Sequence, residues 1–153
     1  MKVITTIKNW AEGSSLNILR DIHKRDVNIA IFNRDINALR NETEFLLKHK
    51  IKLLERGDLN TILNVIDNQV LLSDCSLIVE DIKRLLYNFQ EISRAKSFRF
   101  TLTTVNTNMC RRFHEDEVSL RLLCTYSGPS TLWLKENDVN RNALNSLADW
   151  IIT

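Results

Sequence analysis

A thiol, an imidazole and a carboxylate lie close together in the segment Cys110-Arg111-Arg112-Phe113-His114-Glu115-Asp116. Runs rich in apolar and β-branched residues precede and follow this segment, which predicts an extended backbone here. Residues two apart on an extended backbone project to the same face, so we expect the side chains of His114 and Asp116 to point the same way, about 7 Å apart along the strand. They would supply two of the three ligands in the two-histidine-one-carboxylate arrangement that holds non-haem iron. No histidine follows His114 to complete that arrangement.

The same residue types also have purely structural interpretations. His114 and Asp116 can form an ion pair or a hydrogen bond on a sheet surface. Cys110 is a candidate third metal ligand, and its thiolate would favour zinc. It can equally be a small buried apolar residue.

Two residues further along are candidates for substrate binding. Arg121 can hold a carboxylate or a phosphate through two parallel hydrogen bonds, or it can neutralise Asp116 or Glu117. Tyr126 can contact a substrate with its hydroxyl group, or it can be a core residue with a polar tip, as can Trp133.

The composition restricts the classes of protein to which the chain can belong. Its 153 residues suffice for one domain with a sizeable core, so we predict a single domain over residues 1–153. A net charge of +2 and dispersed basic residues without interleaved aromatic residues argue against a nucleic-acid partner. Three widely spaced cysteines indicate reduced thiols and a cytoplasmic protein. No apolar stretch approaches the roughly 20 residues of a membrane helix, which argues against a membrane partner.

Apolar spacing predicts a helix-rich segment over residues 1–95, interrupted by a strand from Val27 to Phe32. We expect three helices here, capped by Asp35, Asp58 and Asp74. Their predicted apolar faces comprise Ile36, Leu39, Thr43, Leu46 and Leu47; Leu59, Ile62, Leu63, Ile66 and Val70; and Ile78, Ile82, Leu85, Phe89 and Ile92.

Residues 96–135 are predicted to be β-rich, with strands at 97–105, 120–126 and 131–134. A last helix is expected over 138–151. Helices followed by strands indicate an α+β fold, with a helical N-terminal half and then a partial antiparallel sheet.

The histidine segment and the residues after it resemble an uncharacterised bacterial family, the domain of unknown function 1826 family. The family pattern is Cys-x-x-Phe-His-x-Asp, followed by Arg-Leu-Leu-x-Thr-Tyr-x-Gly-Pro-Gly-Thr-x-Trp-Leu. This chain has Ser130 where the pattern has its second glycine. It matches at Cys110, Phe113, His114, Asp116, Arg121, Thr125, Tyr126, Gly128, Pro129, Thr131 and Trp133.

The resemblance also implies features of the family pattern that this sequence does not include. Family members continue with a later His-Arg-Ser-Pro segment and a further arginine, a pattern similar to that of iron- and 2-oxoglutarate-dependent oxygenases. By that analogy the chain is a C-terminally shortened, oxygenase-like protein with an incomplete double-stranded β-helix (jelly roll). It would bind a divalent metal, iron or zinc, at an incomplete His-x-Asp site, and it would be inactive. In the complete family members, 2-oxoglutarate would be the cofactor.

The alternative is a non-catalytic binding or interaction module, or a remnant of a larger member. An incomplete sheet would leave an open edge, which predicts self-association.

Overall fold

The structure is a computed structural model and describes residues 8–106 and 113–141. The described residues form two compact units. Residues 8–35, 113–117 and 131–141 belong to the first unit, and residues 36–106 and 118–130 belong to the second. The single-domain organisation stays a prediction.

A two-stranded parallel sheet organises the first unit. Strand β1 (Trp10–Gly13) pairs with strand β2 (Ile29–Phe32). Parallel neighbours need a crossover connection, and the 3-10 helix Leu16–His23 lies within it. The strand predicted over residues 27–32 is therefore confirmed, whereas its partner β1 was not predicted.

The second unit contains a two-stranded antiparallel sheet. Strand β3 (Lys52–Gly57) pairs with strand β4 (Phe98–Thr103). Leu53 and Phe98 are buried on the inner face of this sheet. The strand predicted over residues 97–105 is confirmed, and β3 is a strand that the helical interpretation of residues 1–95 missed.

Three α-helices lie in the second unit. They are α1 (Arg40–Lys48), α2 (Leu59–Asp67) and α3 (Ser76–Ser93). Short 3-10 turns occur at Asn37–Leu39, Val70–Leu72 and Glu136–Asp138. The core of the unit consists of Leu46, Ile51, Leu53, Leu59, Ile62, Ile66, Leu72, Cys75, Ile78, Ile82, Leu86 and Phe98.

Local chemistry sets the boundary between β3 and α2. The carboxylate of Asp58 accepts a hydrogen bond from the backbone N–H of Thr61 at 2.8 Å and so caps α2 as predicted. This hydrogen bond lowers the pKa of Asp58. Gly57 precedes the cap because a Cβ atom there would lie 2.8 Å from the side chain of Thr61.

The start of α3 is stabilised by a residue distant in sequence. The carboxylate of Glu42 accepts hydrogen bonds from the backbone N–H groups of Leu77 (3.2 Å) and Ile78 (2.8 Å). The residue at the N-cap of α3 is Cys75, which makes no side-chain capping bond, so the expected cap by Asp74 is wrong. The expected cap by Asp35 is also wrong, because α1 begins only at Arg40.

The fold class α+β is confirmed, but the two halves are not divided as predicted. Three of the four described strands, β1, β2 and β3, lie before residue 95, and β3 pairs with β4 across the whole of α2 and α3. The division into a helical N-terminal half and a later sheet is therefore not confirmed. The physical reason is that a strand of four to six residues shows too few alternations of apolar and polar residues to be distinguished from the amphipathic helices around it.

Two predicted strands do not form. Residues 120–126 and 131–134 have no regular secondary structure. A composition rich in apolar and aromatic residues favours a strand only where a neighbouring strand can accept its hydrogen bonds. Among the described residues, β3 and β4 pair only with each other. Most of the predicted helix over 138–151 lies outside the described residues.

Within residues 8–106 and 113–141, the structure has two sheets of two strands each. The likeness to an incomplete jelly roll is not confirmed by these sheets. No helix of this described part is long and apolar enough to cross a membrane.

Candidate functional site

The structure brings the side chains of His114 and Asp116 together. Atom Nε2 of His114 lies 3.4 Å from Oδ1 of Asp116. The segment from Phe113 to Asp116 belongs to neither a helix nor a strand. The predicted convergence of the two side chains is thus present without the predicted sheet. The His114 side chain is 52% exposed and that of Asp116 is 32% exposed, so solvent and solutes reach both groups.

The residue between them is held by an arginine. Glu115 forms an ion pair with Arg141, whose guanidinium group also donates two hydrogen bonds of 2.6 Å to the carboxylate of Glu136. This contact fixes the side chain of the residue that lies between His114 and Asp116 in the sequence.

Glu136 connects this arginine to the start of both strands of the first unit. The side-chain amide of Asn28 donates a hydrogen bond to Glu136 at 3.4 Å, and the backbone N–H of Glu136 donates to Oδ1 of Asn9 at 3.5 Å. Asn9 is buried and donates a 2.9 Å hydrogen bond to Asn28. These residues form one polar network from the parallel sheet to the histidine segment.

Metal coordination by three protein ligands is not seen among the described residues. Within residues 8–106 and 113–141, no group of three His, Cys, Asp or Glu side chains is placed to hold a metal ion. Cys110, the predicted third ligand, lies outside the described residues. Of the three predicted ligands, the structure places His114 and Asp116 in contact with each other.

The hydroxyl group of Tyr126 has a protein partner. It donates a 2.8 Å hydrogen bond to Oδ2 of Asp81, a buried residue of α3. The guanidinium group of Arg84 donates to the other carboxylate oxygen of Asp81 at 2.9 Å. The ring of Tyr126 packs against the core of the second unit. The alternative interpretation of Tyr126, a core residue with a polar tip, is the one that this geometry supports.

Trp133 contributes to an aromatic cluster in the first unit. Its ring centroid lies 5.7 Å from that of Trp10. The ammonium groups of Lys8 and Lys135 lie 4.8 Å and 5.2 Å from the centroid of Trp10. Trp133 is still 36% exposed, so this cluster only partly covers it.

A protein family model covers most of the chain. The model of a protein of unknown function (DUF1826) matches residues 13–152. The chain belongs to the DUF1826 family. No curated protein and no solved structure matches it.

In this DUF1826 protein the predicted site residues are divided between the two units. His114 and Asp116 belong to the first unit, and Arg121 and Tyr126 belong to the second. Arg121 is exposed and lies in a segment without regular secondary structure. Substrate binding by Arg121 and Tyr126 stays a prediction.

Arg141 was not predicted from the sequence as a residue that contacts the histidine segment. Its spacing of five residues from Glu136 follows neither a helical nor a strand period, so no sequence pattern indicated their contact. Its contact with Glu115 joins segments that only the tertiary structure brings together.

Proposed function

We propose that this DUF1826 protein binds a divalent metal ion, with Nε2 of His114 and Oδ1 of Asp116 as two of its ligands. The observation that supports the proposal is the 3.4 Å separation of these two atoms. In a tetrahedral site with metal–ligand bonds of about 2.0–2.1 Å, two donor atoms lie about 3.3–3.4 Å apart. In an octahedral site with bonds of about 2.1 Å, neighbouring donors lie about 3.0 Å apart.

The separation of the two donor atoms therefore equals the spacing in a zinc-type tetrahedral site and is slightly larger than the spacing in an iron-type octahedral site. The ion pair between Glu115 and Arg141 supports the same proposal, because it holds the backbone from which both ligands project. Cys110 is the proposed third ligand, four residues before His114. Solvent would complete the coordination, since both proposed ligands are accessible.

A divalent ion held here would supply positive charge that polarises an oxygen-containing ligand. The finer proposal is an oxygenase-like protein with an incomplete jelly roll and a relation to 2-oxoglutarate. It rests on the family resemblance described under Sequence analysis. His114 and Asp116 of the first unit would orient the ion. Binding of an anionic substrate or co-substrate by Arg121, a residue of the second unit, is a separate proposal.

Metal titration of the purified chain tests the proposal. Calorimetric titration with Zn²⁺ and, under anaerobic conditions, with Fe²⁺ should show one saturable site in the wild type. The variants His114→Ala and Asp116→Ala should each lower the affinity at least about tenfold, and His23→Ala is the control for loss of an unrelated exposed histidine. Acidification from about pH 7.5 to about pH 5.5 should weaken binding, because protons compete with the metal for the imidazole nitrogen. Equal metal uptake by wild type and both site variants would rule out this site.

The second candidate function is a non-catalytic interaction module. Exposed apolar side chains support it: Val118 is 53% exposed, Leu123 is 59% exposed and Leu132 is 80% exposed. Each described strand also has only one sheet neighbour, which leaves an open edge for another chain. Light scattering tests self-association. A particle mass that rises with concentration in the wild type and falls in Leu123→Ser and Leu132→Ser supports this function, whereas a monodisperse monomer at all concentrations contradicts it.

A further inference from the structure

The outer face of the antiparallel sheet carries two arginines directly opposite each other. The register of β3 and β4 sets Arg56 opposite Arg99 and Leu54 opposite Thr101. All four are exposed, and they alternate along the strands with inward residues such as Leu53. Side chains that face each other across an antiparallel pair have Cβ atoms about 4.5–5.5 Å apart. The two guanidinium groups therefore share one small area of surface.

This arrangement is electrostatically unfavourable in the protein alone. Like charges directly opposite each other in a sheet are destabilising. In the described part of the chain, no carboxylate forms an ion pair with Arg56 or Arg99. The nearest acid along the chain, Glu55, accepts a 2.9 Å hydrogen bond from the backbone N–H of Arg56. An external anion would supply the compensating charge that these two residues lack.

The surface at this position is concave. A shallow pocket is lined by Leu54, Glu55, Arg56 and Arg99. Leu54 is 47% exposed and places an apolar side chain beside the two cations. The pocket thus offers two guanidinium groups and an apolar side chain to one ligand, and the carboxylate of its fourth lining residue, Glu55, accepts a hydrogen bond from the backbone N–H of Arg56.

We propose that this pocket binds a small phosphate monoester that carries an apolar group. A phosphate monoester has a charge of about −1.5 to −2 at neutral pH, which compensates both arginines, whereas a carboxylate or a sulfate ester compensates only one. Guanidinium groups bind phosphate oxygens through pairs of parallel hydrogen bonds. Thr101 provides a hydroxyl donor on the same face, and Leu54 contacts the apolar group. The pocket lies in the second unit and is independent of the His114 site.

Three small ligands test separately whether the double negative charge and the apolar group contribute to binding. Phenyl phosphate has the dianion and the ring, phenyl sulfate has the ring with a single charge, and inorganic phosphate has no ring. In titrations at constant ionic strength, we expect phenyl phosphate to bind most tightly. Binding of phenyl sulfate with equal affinity would overturn the role of the double charge. Equal affinity for inorganic phosphate would overturn the role of Leu54.

Substitution of each arginine tests whether these two residues bind the phosphate group. Arg56→Gln and Arg99→Gln should each lower the affinity for phenyl phosphate at least about tenfold, since each removes a charge-assisted pair of hydrogen bonds. Arg56→Lys should retain only part of the affinity, because an ammonium group lacks the planar fork. The exposed Arg25 of the first unit provides the matched control, and Arg25→Gln should bind like the wild type. Unchanged affinity in both sheet variants would overturn the proposal.

A thermal measurement distinguishes ligand binding from a merely structural role. Without ligand, Arg56→Gln should melt about 1–3 °C higher than the wild type, because one of the two opposed charges is removed. With saturating phenyl phosphate the order should reverse, because the wild type binds the ligand more tightly and gains more stability from it than the variant does. A variant that keeps its higher melting temperature at every phosphate concentration would show that the arginines merely repel each other.

Discussion

Replacement of Tyr126 by phenylalanine removes one oxygen atom and the hydrogen bond that joins the segment 118–130 to helix α3. In the wild type this hydroxyl donates to Oδ2 of Asp81 at 2.8 Å. Asp81 is only 8% exposed, and its other oxygen accepts from Arg84 at 2.9 Å. The ring remains, so its packing against the core is retained and the change isolates the hydroxyl group.

The surroundings of the hydrogen bond set the expected loss in the free energy of unfolding. A hydrogen bond to a charged group contributes about 1.5–3 kcal/mol to stability. Arg84 still compensates the charge of Asp81 in the variant, so we expect the lower part of that range, about 1.5–2 kcal/mol. With a urea dependence of about 2 kcal/mol per molar, the midpoint of unfolding should fall by about 0.8–1 M.

Urea unfolding followed by circular dichroism at helical wavelengths measures this loss, because α1, α2 and α3 all lie in the second unit, which contains Tyr126 and Asp81. The other tyrosine of the chain provides a matched control: Tyr87 lies on α3 and is 55% exposed, so Tyr87→Phe should cost no more than about 0.5 kcal/mol. A double-mutant cycle with Asp81→Ala should give a coupling energy of about 1–2 kcal/mol between the two side chains.

Two results would refute the reasoning. Equal losses in Tyr126→Phe and Tyr87→Phe would mean that the buried hydrogen bond contributes nothing. A coupling energy near zero, with a large cost for each single variant, would mean that Tyr126 and Asp81 stabilise the protein through separate contacts.

Three further predictions concern the core, a helix cap and the polar network. Ile62→Ala should lower the free energy of unfolding by about 2–5 kcal/mol in denaturant titration, because Ile62 is fully buried and its removal leaves a cavity. The pKa of Asp58 is lower in the folded protein than in the unfolded chain, where it is about 3.9. Its carboxylate therefore stabilises the fold above that unfolded pKa. This stabilisation is lost as the pH falls through the lower pKa of the folded protein. Asp58→Asn, which keeps a capping oxygen, should therefore show a smaller decrease in melting temperature than the wild type between about pH 5 and about pH 3; identical pH profiles would contradict this. Arg141→Gln should weaken metal binding at His114 about tenfold in calorimetry by releasing the histidine segment, while Arg25→Gln should not.

The sequence by itself determined the features that depend on residues close together in the chain. Helix α2 follows from Gly57-Asp58 and from the helical spacing of Ile62 and Ile66, because the cap and the buried face belong to one short segment. Strand β4 follows in the same way from the aromatic and β-branched residues of the segment 97–105. The convergence of His114 and Asp116 was predictable because a spacing of two residues needs no distant partner.

Only the tertiary structure decided the contacts between distant segments. The carboxylate of Glu42 caps a helix 36 residues later, and Tyr126 binds an aspartate 45 residues earlier. The apolar run before Tyr126 was compatible with a strand, but a strand also requires a hydrogen-bonding neighbour, and β4 pairs with β3. Composition and periodicity describe what a segment can do by itself, whereas pairing and ion-pair partners depend on which segments the fold brings together.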